Sequence, residues 1–130
     1  MNPATIYAWE VYVSGTDWRM TVNARTRGQA NRVYHNAVLD PYPNMPFTAL
    51  RCRKLGPPHT SEGFAVNAAY RGKPGVKCGD RVRVGTDLGT IVGHNPSANF
   101  DVLFDADSKY HGARLNVHPD SCELVENQHV

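Results

Sequence analysis

The alternation in residues 6–13, IYAWEVYV, constrains this chain more than any other feature. Tyr7, Trp9, Val11 and Val13 fall on one side of an extended chain, and Ala8, Glu10 and Tyr12 on the other. This is the period of a half-buried strand. The turn composition SGTD follows, and RMTVNAR alternates again, with Met20, Val22 and Ala24 expected inward and Arg19, Thr21, Asn23 and Arg25 outward. Two such runs around a short turn predict a β-hairpin.

The period then changes. Thr26 with Gln29 three residues later predicts a capping box, and Ala30, Val33, Tyr34, Ala37 and Val38 recur at the spacing of one helical face. The prolines of DPYPNMP end that helix, and FTALRCRKL is expected to form a third strand with Leu50 and Cys52 on one face and Arg51 and Arg53 on the other. The expected fold class is α+β. Residues 1–56 form a ββαβ module, a three-stranded antiparallel sheet covered on one face by the helix, with the third strand beside the first. Its core is expected to contain Trp9, Val11, Val22, Val33, Tyr34, Ala37 and Leu50. Trp18, beside a turn, is expected to be partly exposed.

Residues 57–75 read as a connector packed between two modules. PPHTSEG is loop-like, FAVNAAY alternates as a short strand would, and RGKPG is a turn. From residue 76 onward the chain punctuates short apolar runs with glycine-rich turns: GDRVRV, TIVGHN, NFDVLFD, ARLNVH and CELV. Val82, Val84, Phe100, Val102, Phe104, Leu115 and Val117 are expected inward. Five such strands predict a small β-barrel over residues 76–130. Modules this small are expected to lean on each other, on a partner or on a second copy, because a single core of under roughly 70–80 residues supplies little stability.

Charge is unevenly spread. Residues 1–56 carry seven Lys and Arg against three acids, a balance of +4, while residues 76–130 carry five against eight, a balance of −3. An anionic partner for the first module, or attraction between the two, follows from that asymmetry. The sheet face opposite the helix concentrates the basic side chains. Tyr12, Arg19, Arg25, Arg51 and Arg53 are the candidate partner-binding residues, suited to a phosphate backbone with an aromatic ring for a base. A plain solvated face accounts for the same pattern, since antiparallel sheets commonly expose one side to water. A secondary polar patch, His94, Asn95, Asn99, Asn116 and His118, is expected on one outer side of the barrel; strand polarity and loop capping explain it more simply than ligand binding or hydrolysis.

Other chemistry is not expected. Cys52, Cys78 and Cys122 are an odd number at wide spacing, which predicts reduced thiols in a cytosolic setting. His118 and Cys122 make one mixed pair without the second close pair of a structural zinc site, so no metal and no cofactor is expected. Asp101, Asp105 and Asp107 lack the pattern of a calcium loop and read as surface and turn acids. Phosphate-loop, dinucleotide and nucleophile-elbow signatures are missing, so the chain is expected not to be an enzyme. No run approaches the roughly 20 apolar residues of a membrane span, and MNPATIYAWE lacks the marks of a signal peptide.

The string GDRVRV…LGTIVG with a proline-containing turn before the last strand resembles SH3-like, KOW-type barrels. GTIVGHNPSANFDVLFD followed by ARLNVHP, together with NARTRGQANRVYHNAV and FTALRCRK, is similar to small accessory proteins of tailed phages and prophages. That resemblance implies a cytoplasmic life in a host cell and a binding role. The partner would be nucleic acid or a host nucleoprotein complex. The alternative is an anti-defence inhibitor, of the anti-CRISPR type, that binds a host protein without touching nucleic acid. A homodimer is compatible with either.

Overall fold

The computed structural model describes residues 5–38 and 46–125. The chain divides into two compact units, Thr5–His59 and a second that runs from Thr60 onward.

The first unit is a three-stranded antiparallel sheet with one helix, the α+β arrangement expected. Strand β1 (Tyr7–Val13) is central, flanked by β2 (Arg19–Ala24) and β3 (Leu50–Gly56). Helix α1 (Arg27–Val38) connects β2 to β3. The Gln29 N–H donates to Thr26 Oγ1 at 3.2 Å, and Gln29 Oε1 accepts from the Arg25 N–H at 2.8 Å, so the capping box closes one residue further out than its usual form. The core joins Trp9, Val11, Val13, Val22, Ala24, Ala30, Tyr34, Leu50 and Cys52, with Val33 partly buried at its margin. The Trp9 indole N–H is satisfied by the Ala24 carbonyl at 3.0 Å.

Four expectations for this unit need correction. Ala37 is exposed, and Met20, paired with Val11, is 42% exposed. A twisted sheet diverges from a straight helix, so the helix covers only part of its face. Asn23, expected in solvent, is buried because it bonds the main chain of His59. Residues Phe47–Ala49 form a 3-10 turn, and the third strand starts only at Leu50. The DPYPNMP segment lies, except for Pro46, outside the described residues.

The second unit opens with a helix, where the alternation of FAVNAAY suggested a strand. Helix α2 (Glu62–Tyr70) is N-capped by Ser61, whose hydroxyl accepts from the Phe64 N–H at 3.0 Å. Phe64 and Ala68, four apart, are buried on one helical side, while Val66 is 62% and Tyr70 78% exposed. The residues from Thr60 to Gly75, read as a connector, thus supply two members of the second unit's own core.

Five antiparallel strands follow: β4 (Arg81–Val84), β5 (Asp87–His94), β6 (Phe100–Phe104), β7 (Arg114–Val117) and β8 (Glu123–Leu124). Their order is β7-β6-β5-β4-β8, so the last strand returns to lie beside the first of the five. The ladder is open: among the described residues β7 and β8 do not pair, and the expected closed barrel is not seen. The stretch between GDRVRV and TIVGHN is mostly strand, since β5 begins at Asp87. Ile91, Phe100, Val102, Phe104 and Val82 are buried with Phe64, while Leu115, expected inward, is 38% exposed on the outermost strand. Arg81 bridges the sheet, holding Asp105 with both nitrogens at 2.8 and 2.6 Å and Thr90 Oγ1 at 2.9 Å.

Candidate functional site

The strand register assembles the basic face of the first unit row by row. Tyr12 on β1 stands opposite Arg19 on β2 and Arg51 on β3. Glu10, two residues back and therefore on the same face, stands opposite Thr21 and Arg53. Neighbouring strands lie about 4.8 Å apart, so a tyrosine and three guanidinium groups share a patch three strands wide.

Each arginine has a defined setting. The Arg19 guanidinium lies 5.6 Å from the Tyr12 ring centroid, a cation–π geometry. Arg51 Nη1 donates to the carbonyls of Thr48 and Leu50, both at 2.9 Å, which turns its charge toward the 3-10 turn that precedes β3. Arg53 Nη2 donates to Glu10 Oε1 at 3.0 Å, and Arg19 Nη1 lies 3.5 Å from the same oxygen. Glu10 was not singled out from the sequence, yet it is the hub of this face. Its side chain is 18% exposed, against 50% for Arg19 and 65% for Arg53.

Arg25 stands apart from the other four. It follows the end of β2, in the bend that enters α1. Six residues separate it from Arg19, about 20 Å along an extended strand. Between them the face is closed at Asn23, where the chain of His59 crosses it. The accessible basic patch is therefore the Tyr12 and Glu10 rows.

Four of the five residues of the secondary patch, Asn95, Asn99, Asn116 and His118, are linked in the second unit, while His94 is held separately by Asn67. Asn95 donates to Asn116 Oδ1 at 2.9 Å, and its own Oδ1 accepts from the N–H groups of Ser97 and Asn99, both at 3.0 Å. Asn116 donates in turn to Asp101 Oδ1 at 3.0 Å. His94 Nδ1 lies 2.6 Å from Asn67 Nδ2, with its ring edge-on to Phe64. His118 caps the 3-10 turn Pro119–Ser121 by accepting from the Asp120 N–H at 3.1 Å. The residue that joins His118 to the 95–99 loop is Arg71, at the C-terminal end of α2, where a cation suits the helix dipole. Its guanidinium donates to the Ser97 carbonyl at 2.7 Å and to Asn99 Oδ1 at 3.2 Å, and it lies 3.4 Å from His118 Nε2. Reading FAVNAAY as a strand hid Arg71, because only a helix ends with that side chain over the 95–99 loop. Ala98 in this loop has φ +64°, a conformation unusual for a residue with a side chain. The network holds that turn, and its polar atoms face one another rather than a shared point in solvent.

The cysteines carry no disulfide. Burial pushes the Cys52 thiol up, Arg27 opposing it, and pushes Cys122 up to about 11, Lys73 opposing it. Such thiols are poor nucleophiles and poor ligands at neutral pH. Among the described residues no three His, Cys, Asp or Glu side chains group as metal ligands. A groove of about 500 Å³ runs between the Gly72–Val76 turn and the Asp120–Leu124 segment. Val82, Ile91 and Phe100, which line it, are almost fully buried, while Leu124 beside them is exposed, and Lys73, Asp120 and Glu123 add charge to its lining. Among the described residues no helix is long and apolar enough to cross a membrane.

Comparison of the chain with protein-family models, with curated proteins and with solved structures gives no match.

Proposed function

We propose that this chain is a non-enzymatic binding protein of the phage accessory kind, acting in the host cytoplasm, and that it holds nucleic acid, alone or within a nucleoprotein complex, on the Tyr12, Arg19, Arg51 and Arg53 face. The observation that carries this reading is the row Arg19–Tyr12–Arg51, an aromatic ring flanked on both neighbouring strands by guanidinium groups. Guanidinium groups recognise phosphate oxygens through paired N–H donors. A tyrosine between them offers a face on which an unpaired base stacks, worth roughly 1–3 kcal/mol. The five-stranded unit is read as an SH3-like barrel module; the return of β8 beside β4 and the 3-10 turn before β8 support that kinship.

Fluorescence anisotropy of a labelled single strand of mixed sequence and of its duplex, across a salt series, tests the reading. Binding should weaken with a slope in log K against log salt of roughly −0.7 per phosphate contact for the single strand and −0.9 for the duplex. Replacing Arg51 and Arg53 by Ala should flatten the slope without unfolding the chain. Tyr12→Ala should weaken single-strand binding more than duplex binding. Absence of binding to either probe at low salt would rule the reading out.

The second reading is a protein-binding inhibitor of a host factor or defence complex. What favours it is the hairpin end beside Arg19, where Trp18 is 40% and Met20 42% exposed. Trp and Arg together are common interface anchors. Capture of a host protein that survives nuclease treatment and is lost in Trp18→Ala would support this reading over the first.

A further inference from the structure

We propose that Glu10 is a built-in competitor for the phosphate backbone and sets how strongly the basic face takes nucleic acid; this rests on the reading above. Glu10 Oε1 contacts two arginines at once, Arg53 at 3.0 Å and Arg19 at 3.5 Å. The two arginines reach it from opposite strands of the sheet, so its carboxylate occupies the point on which their charges converge. A phosphate placed there meets the same two donors. It must either displace the carboxylate from them or share them with a like charge, and both weaken binding.

The positions of the partners make this a tunable arrangement. Arg53 and Arg19 are at least half exposed, so each can swing to a ligand, whereas Glu10 is largely covered and stays. Arg51 takes no part in the Glu10 cluster, since its bonds go to the Thr48 and Leu50 carbonyls. It is the arginine from which a strand of phosphates can be held while the other two exchange partners. Glu10 therefore favours a polyanion that supplies several contacts over a ligand with a single charge.

The test is Glu10→Gln, which keeps an oxygen to accept from Arg53 and removes the charge. Glu62→Gln, at an exposed position of α2, removes the same charge elsewhere and controls for net charge. All three proteins are titrated with the labelled single strand at several salt concentrations, and their thermal melts are compared. Glu10→Gln should bind about tenfold more tightly at low salt, the scale of one charge–charge contact at a partly exposed site. Its salt slope should be steeper than that of the unmodified protein, and Glu62→Gln should change affinity by much less. If the wild type binds and Glu10→Gln binds equally or more weakly, the competitor role is overturned while the nucleic-acid reading stands. Equal tightening by Glu62→Gln also overturns it. If neither protein binds at low salt, the nucleic-acid reading fails and this inference fails with it.

Discussion

The carboxamide of Asn23 closes two hydrogen bonds on the main chain of His59, donating to its carbonyl at 2.7 Å and accepting from its N–H at 2.8 Å. This pairing fastens the segment that follows β3 across one end of the sheet, and so decides how much of the basic face remains open. Asn23→Ala removes both bonds from the His59 N–H and carbonyl. It should cost about 1–3 kcal/mol in urea unfolding. Asn23→Asp keeps the acceptor and loses the donor, and should fall between the two. Unchanged stability in both variants would show that the His59 segment does not depend on Asn23.

Ser61 is the N-cap of α2. Ser61→Ala should lower stability by about 1 kcal/mol, and Ser61→Asp should restore most of it through the helix dipole. Amide exchange over residues 62–70 reads this directly: Ser61→Ala should speed exchange there. A strand in the same place would be indifferent to the cap.

Gly89 on β5 packs closely against β6. A Cβ at this position would stand 2.6 Å from Val102 Cγ1, 3.0 Å from the Leu103 carbonyl oxygen and 3.3 Å from Phe104 Cα. Two of these neighbours are backbone and cannot turn aside. Gly89→Ala should therefore destabilise the chain by about 1–3 kcal/mol, the range for overpacking a filled core. Gly28, which has open space around it, serves as the contrast: Gly28→Ala should be neutral or stabilising.

The Cys122 thiol, raised to about 11 by burial, makes stability fall in alkali. In the unfolded chain a cysteine titrates near about 8.5, so between that pH and about 11 the unfolded form loses a proton that the folded form keeps. The contribution is intact below the lower value and is lost as pH rises toward the upper one. Unfolding midpoints measured from neutral to alkaline pH should drop less in Cys122→Ala than in the unmodified chain. Iodoacetamide at neutral pH should label Cys122 only at the rate of opening. Rapid labelling of the folded protein at this residue would contradict the burial.

Much of this molecule was legible in the sequence because two of its signals are local. Period-two alternation identified β1 and β2, and the shift to a helical period with Thr26 and Gln29 identified α1, since backbone geometry alone sets which side chains share a face. Trp9, Val11, Val22, Tyr34 and Leu50 lie in the core for that reason. The basic row was equally readable, because Tyr12, Arg51 and Arg53 follow from alternation once the strands are paired.

Tertiary structure decided the rest. FAVNAAY satisfies both periods: Phe64 and Ala68 share a side in a strand and in a helix, and only packing against Val82, Ile91 and Phe100 selects the helix that also buries just those two. Asn23 has the polarity of a solvent position, and its burial depends on a partner 36 residues away. Glu10 read as one acid among outward residues; its place between Arg19 and Arg53 exists only because three strands separated in the chain align in one register. Local sequence carries the periods of the backbone, whereas register, burial of polar groups and the meeting of distant charges are properties of the assembled fold.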